Sequence, residues 1–179
     1  TKTLDYSCIL IIQLSALIWG IHTVYQQRPI AIVFWDSSFY TVPDLELSKH
    51  YKNHPGYKEL LASPETPFIY AQKPQNRSDY DEMMRVIKQD NIAPHHHISR
   101  YQPLESNFQQ VTPFSADIQE ITSHNLTMKK ELETILKSTQ SELEDNIYLP
   151  LESKYQNIIL VFNKSGTQLG FIKAPYKKE

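Results

Sequence analysis

The hydrophobic residues of this chain are concentrated at its beginning. Only three of its 38 charged residues lie in the first 35 positions, and the 22 residues from Tyr6 to Gln27 carry no charge. About 20 helical residues span the roughly 30 Å hydrocarbon core of a bilayer. A helix that is apolar on most faces is typical of a membrane segment. The pattern therefore predicts a transmembrane helix within residues 1–28, followed by a separate domain at residues 29–179.

A secretory signal peptide is the alternative interpretation of this segment. Lys2 is the only basic residue before the apolar run. Val24 is followed by Tyr25–Pro29, which offers no small-residue cleavage site. We therefore expect a retained helix. Its orientation does not follow from charge, because Lys2 and Arg28 nearly balance across it.

One side of the predicted helix carries small and polar residues. Gln13, Ala16, Gly20 and Thr23 are spaced three, four and three apart, so they share one face, here called the small-polar stripe. Ala16 and Gly20 form a small-xxx-small pair that allows another helix to approach closely, and Gln13 can form a hydrogen bond across such a contact. The stripe therefore indicates helix packing, either with earlier helices of the same protein or with a helix of a partner.

The remaining residues alternate between strand and helix patterns, which predicts a small water-soluble α+β domain with antiparallel hairpins. One hairpin joins Ile30–Trp35 to Phe39–Val42, and a second joins Asn157–Asn163 to Thr167–Lys173 through a Lys-Ser-Gly turn. Between them, apolar spacing and turn residues predict four helices and a short strand. These are helices at Pro43–Tyr51, Tyr57–Ala62, Ser78–Gln89 and Thr127–Glu144, and a strand at Phe68–Gln72.

Some details of this domain are less regular. Ser78 is the predicted N-cap of its helix, and Ser115 is predicted to cap a turn through Ile118 and Ile121. The segment Asn91–Pro113 contains three prolines and little periodicity, so it is predicted to be irregular. An apolar stripe on the last helix is predicted to pack in the core; its members are Leu132, Ile135, Leu136 and Leu143.

Composition narrows the possible functions. The net charge is −2 and the pI is about 6.4, whereas a nucleic-acid-binding protein normally carries a basic surface. Removal of the predicted helix removes Lys2, Arg28 and Asp5 and leaves a domain of net charge −3. The single cysteine, Cys8, excludes an intrachain disulfide and lies in the apolar run, where we expect a packed or lipid-facing thiol.

The histidines are the main candidates for chemistry. His95, His96 and His97 are adjacent, which is a poor arrangement for binding one metal ion, so we expect structural or solvent-exposed histidines. His50 and His54 would share a face on a helix, but Pro55–Gly56 limits that helix. A metal-dependent enzyme would need one of these groups to converge with carboxylates. The chain carries no nucleophile elbow, phosphate-binding loop or dinucleotide fingerprint, so we expect no catalytic residue, no cofactor and a role in binding or assembly.

Two groups of motifs resemble type IV pilin accessory proteins of the TfpX/TfpZ type. The first lies across the helix and its exit and comprises Ile12–Leu17, Gly20, Thr23–Ile30 and Val33–Phe34. The second lies near the end and comprises Tyr148–Leu151, the Ile158–Ile172 hairpin with its Ser165–Gly166 turn, and Pro175–Tyr176. The region between them, Tyr51 to Ile147, has no close counterpart.

The resemblance implies a bacterial inner-membrane protein with a few N-terminal transmembrane helices, of which this helix is the last, and a periplasmic C-terminal domain. It implies a non-enzymatic, chaperone-like role toward the major type IV pilin, with inner-membrane lipids and that pilin as partners. The alternative is a membrane-anchored sensor or ligand-binding domain, for which the 11 tyrosines and the histidine segment are the support.

Overall fold

The computed structural model describes residues 2–153 and 157–173 and begins with one long helix. Helix α1 runs from Lys2 to Gln26, and its Ile9–Gln26 span is long and apolar enough to cross a membrane. No residue of that span is buried against the described part of the chain. The predicted apolar helix is therefore confirmed. The Pro175–Tyr176 motif and the side chain of Cys8 lie outside what the structure describes.

Seven strands of the described residues form one mixed sheet, which confirms the α+β prediction. Its order is β4-β3-β1-β2-β5-β6-β7, with parallel pairing between β1 and β3 and between β2 and β5 and antiparallel pairing elsewhere. Both predicted hairpins are present, as β1–β2 and β6–β7. The strands are β1 (Pro29–Trp35), β2 (Ser38–Pro43), β3 (Phe68–Ala71), β4 (Tyr101–Pro103), β5 (Asn146–Glu152), β6 (Ile158–Asn163) and β7 (Gln168–Lys173).

Six further α-helices lie in the described residues. The first two of these helices in chain order and the two longest ones lie where the apolar spacing predicts helices. They are α2 (Asp44–Tyr51), α3 (Pro55–Ala62), α4 (Arg77–Asp90), α5 (Leu104–Val111), α6 (Ile118–Ser123) and α7 (Leu126–Thr139).

The sheet is strongly curled around one of its faces. Phe68 on β3 and Phe162 on β6 are four strands apart in sheet order, a distance of about 19 Å in a flat sheet. Their ring centroids are only 5.4 Å apart. Strand twist that accumulates across the sheet brings its two ends together. The concave face encloses a mainly aromatic and aliphatic core under α5: Phe34, Phe39, Tyr70, Leu104, Phe108, Val111, Leu149, Leu151, Leu160 and Phe162.

The opposite face is covered in two halves. Helices α2 and α3 bury Leu47 and Tyr57 against β1, β2 and β3. Helices α6 and α7 pack on β5, β6 and β7, where Leu132 is buried. The other three members of the predicted apolar stripe pack against the same core while partly exposed, so their core assignment is confirmed. Ile135 and Leu136 lie on α7, whereas Leu143 lies beyond its end, in a short 3-10 helix at Leu143–Asp145.

The predicted irregular segment Asn91–Pro113 is more ordered than expected. It contains strand β4 and helix α5, whose residues Leu104, Phe108 and Val111 are buried. Their spacing of four and three residues is helical, but the helix has only eight residues between two prolines. Because prolines and histidines surround these eight residues, the apolar spacing was too short to predict α5 from the sequence.

Three helix ends also differ from the predictions. The N-cap of α4 is Asn76, whose side chain accepts from the Asp79 amide at 3.0 Å, and not Ser78. Asp117 caps α6, while the Ser115 hydroxyl accepts instead from the Tyr148 amide at 3.0 Å. Helix α7 ends at Thr139, before the predicted Glu144, because the next residue adopts a left-handed conformation.

The turn between β6 and β7 depends on Gly166. Its φ of +89° is rarely adopted by residues with a side chain, and a Cβ there would lie 2.9 Å from Phe108 Cγ. Gly166→Ala is therefore expected to lower the free energy of unfolding by about 1–3 kcal/mol. Urea titration measures the change. Gly20→Ala is the matched control, since nothing lies within 4 Å of its added Cβ, and equal stability of the two variants would contradict this account.

Candidate functional site

The small-polar stripe lies on a helix that no described residue covers. Gln13, Ala16 and Gly20 are exposed, and Thr23 near the helix end is partly exposed. A Cβ added at Gly20 would meet no atom within 4 Å. The structure thus places all four predicted residues on one open face, where a second helix can approach closely.

Hydrogen bonds within α1 satisfy the hydroxyl groups of Ser15 and Thr23. Ser15 Oγ donates to the Ile11 carbonyl at 2.8 Å, and Thr23 Oγ1 donates to the Trp19 carbonyl at 2.9 Å. Such bonds remove the cost of placing hydroxyls in an apolar solvent. The Gln13 amide has no such partner in the described part of the chain, so it is the group on the stripe that can bond to another helix.

The end of α1 is tied to the domain by a short network. The Arg28 guanidinium lies 4.0 Å from the centroid of the Tyr25 ring, and the Arg28 carbonyl accepts from the Asp44 amide at 3.1 Å. The Tyr57 hydroxyl donates to Asp44 Oδ1 at 2.6 Å. Burial, with the adjacent Asp44 carboxylate, raises the pKa of Tyr57 to about 12. These contacts connect the helix exit to both α2 and α3.

The three adjacent histidines pack beside β2. The His95 ring stacks on Tyr40 with a centroid distance of 4.5 Å, and its carbonyl accepts from the Tyr101 hydroxyl at 2.7 Å. His96 contacts the His95 ring edge-on, while His97 is buried. Burial lowers the pKa of His95 to about 3 and lowers the pKa of the other two.

The second histidine pair does not share a helix. His50 lies in α2, whereas His54 precedes α3 and its Nδ1 accepts from the Gly56 amide at 3.1 Å. That nitrogen therefore caps α3 instead of facing a metal ion. Among the described residues, no group of three histidine, cysteine, aspartate or glutamate side chains is arranged to hold a metal.

Acidification is expected to destabilise the domain through His95, His96 and His97, whose pKa values are lowered in the fold. An unfolded chain takes up protons below pH 6.5, but His95 resists protonation in the fold until about pH 3. The free energy of unfolding therefore falls as pH drops below 6.5, by up to about 1.4 kcal/mol per pH unit for each such histidine. Urea unfolding between about pH 7.5 and 5 measures the slope. His95→Gln should flatten it, whereas His124→Gln, on an exposed residue, should not; equal slopes in wild type and His95→Gln would contradict the assignment.

A cleft of about 1180 Å³, here called the juxtahelical cleft, opens close to the beginning of β1, the first strand after α1. Its walls are α3, the 63–67 segment, the beginning of β3, Ile98, strand β4, the beginning of α5 and the β6–β7 turn. Thr66 Oγ1 donates to the Pro29 carbonyl at 3.5 Å, and the Ile32 amide donates to the Pro67 carbonyl at 3.0 Å. The cleft is therefore continuous with the first strand after the helix.

Sequence patterns identified the stripe but not this cleft. The stripe follows one helical period, whereas the cleft joins segments more than 100 residues apart that meet only because the sheet curls.

No family model matches the chain, and neither a curated protein nor a solved structure is significantly similar to it.

Proposed function

We propose that this protein is a membrane-anchored, non-enzymatic accessory factor for the major type IV pilin, with its α+β domain on the periplasmic side of a bacterial inner membrane. The observation that carries the proposal is α1, an apolar helix that no described residue buries and that displays the small-polar stripe. The motif resemblance supplies the identity of the partner.

The geometry suits a partner that is itself held in the membrane. Before assembly, a pilin is anchored by a hydrophobic helix and carries a globular head in the periplasm. Helix α1 would contact the pilin helix, and the domain would contact the head. Because Arg28, Asp44 and Tyr57 join the end of α1 to the domain, the two contacts would act together.

The expected helix contact is weak enough to be reversed. Lipid tails are as apolar as leucine side chains, so association depends on close packing at Ala16 and Gly20 and on hydrogen bonding by Gln13. An interhelical hydrogen bond of this kind is worth about 0.6–2 kcal/mol. Such a contact would stabilise a pilin in the membrane before assembly and would still allow it to dissociate and enter the pilus.

A membrane-anchored ligand-binding domain is the second candidate, and the juxtahelical cleft is the observation in its favour. Sites for small molecules usually enclose most of the ligand surface. This cleft instead has exposed walls, with Glu59, Glu65 and Glu105 all on the surface. It suits a polypeptide better than a small molecule.

Co-purification with pilin tests the proposed function. The tagged full chain would be isolated in mild detergent from cells that express either its own major pilin or a pilin from another strain. We expect the cognate pilin to be retained and the foreign pilin to be depleted. Equal recovery of both pilins, or of neither, would overturn the proposal.

A further inference from the structure

The charged side chains that line the juxtahelical cleft are acidic. Glu59, Glu65 and Glu105 contribute carboxylates, and among the described lining residues there is one histidine, His54, and no lysine or arginine. All three side chains are exposed. Within the described part of the chain, none of the three carboxylates forms a hydrogen bond or salt bridge, in contrast to glutamates such as Glu46 and Glu82.

This arrangement leaves three like charges without compensation around one concave surface. A cleft lined by one sign of charge focuses its field and attracts groups of the opposite sign. The floor also offers apolar contact, since Leu60, Pro67 and Phe68 are partly exposed there. Cationic side chains with apolar neighbours would satisfy both features.

The position of the cleft limits which molecules can supply these cationic groups. Pro29 lies three residues after the end of α1, and its carbonyl is bonded to Thr66 in the cleft wall. Three extended residues span about 10 Å, so the cleft would lie close to the surface of a membrane crossed by α1. Anionic lipid headgroups would be repelled by the three carboxylates, which favours a protein occupant over lipid.

We infer that the juxtahelical cleft binds an extended, lysine- or arginine-bearing segment of a partner protein held at the same membrane surface. The glutamates pair with its cations, and the apolar floor receives the side chains between them. The inference goes beyond the proposed function, because it specifies the chemistry of the bound segment whichever protein carries it. If pilin does not co-purify, the inference about the cleft is unaffected. If the cleft does not bind a cationic segment, the proposed contact between α1 and the pilin helix is unaffected.

A defined peptide tests the inference on the full chain. The protein would be reconstituted in nanodiscs of phosphatidylcholine, and the probe would be a fluorescein-labelled peptide, Gly-Ser-Lys-Val-Lys-Val-Lys-Ser-Gly. We expect saturable binding by fluorescence anisotropy after subtraction of empty nanodiscs. Binding should weaken about tenfold when NaCl is raised from about 0.05 to 0.5 M, because salt screens exposed charges. A peptide with glutamate in place of each lysine should not bind.

Two triple variants with equal charge changes locate the binding. Glu59→Gln, Glu65→Gln and Glu105→Gln together should weaken binding at least tenfold. The control combines Glu120→Gln, Glu133→Gln and Glu144→Gln, which are exposed residues outside the cleft, and should change affinity less than twofold. Circular dichroism checks that both variants remain folded. Absence of saturable binding, equal affinity of the two triple variants, or binding of the glutamate peptide would overturn the inference.

Discussion

Replacement of Phe162 by alanine is expected to lower the free energy of unfolding by about 3–5 kcal/mol, the usual cost of removing a buried aromatic ring. The Phe162 side chain is 1% exposed. Its ring centroid lies 5.8 Å from that of Phe39, 5.4 Å from that of Phe68 and 5.6 Å from that of Phe108. These three rings come from β2, β3 and α5, so a cavity at Phe162 would separate the two ends of the curled sheet from the helix that covers them.

Urea unfolding of the full chain in detergent, followed by circular dichroism, measures this effect. Phe171→Ala is the matched control, because that ring lies on β7 and is 45% exposed. We expect the control to change the free energy of unfolding by less than about 1 kcal/mol. Equal losses for the two variants would show that the curl does not depend on Phe162.

Gly20→Leu is expected to lower the yield of co-purified pilin about tenfold without changing the stability of the domain. A leucine side chain prevents the close backbone approach that small residues allow in membranes. It meets no atom of the described chain at its Cβ, so unfolding of the domain should be unaffected.

The effect should depend on the face of the helix. Ser15 lies about 140° around α1 from Gly20, outside the small-polar stripe. Ser15→Leu adds comparable bulk and should change the pilin yield less than twofold. If both variants or neither variant reduced the yield, the stripe would not be the contact surface.

Local patterns were sufficient for much of the fold. In the β1–β2 and β6–β7 hairpins, a continuous apolar run is followed, after a short turn, by a second segment with apolar and aromatic residues, so each predicts its own pairing. Helix α1 follows from 22 uncharged residues in sequence. The stripe follows from helical spacing alone, because residues three and four apart share a face.

The remaining features depend on contacts distant in sequence. The parallel pair of β2 and β5 joins Phe39 to Leu151, and no local signal predicts that register. The curl depends on aromatic residues from separate strands, including Phe68 and Phe162. For the same reason, Glu59 and Glu105 have no recognisable relation in the sequence and form one acidic cleft only in the fold.

Site-specific crosslinking tests the central claim, that the small-polar stripe contacts pilin within the membrane. A photoreactive benzoylphenylalanine would replace Gly20, and irradiation of membranes with and without pilin would be followed by mass spectrometry of the adducts. Ile18, about 160° around the helix, is the control position. We predict adducts to the hydrophobic helix of pilin from position 20 and not from position 18. Adducts from position 20 that join only segments of this same protein, with pilin present, would contradict the account.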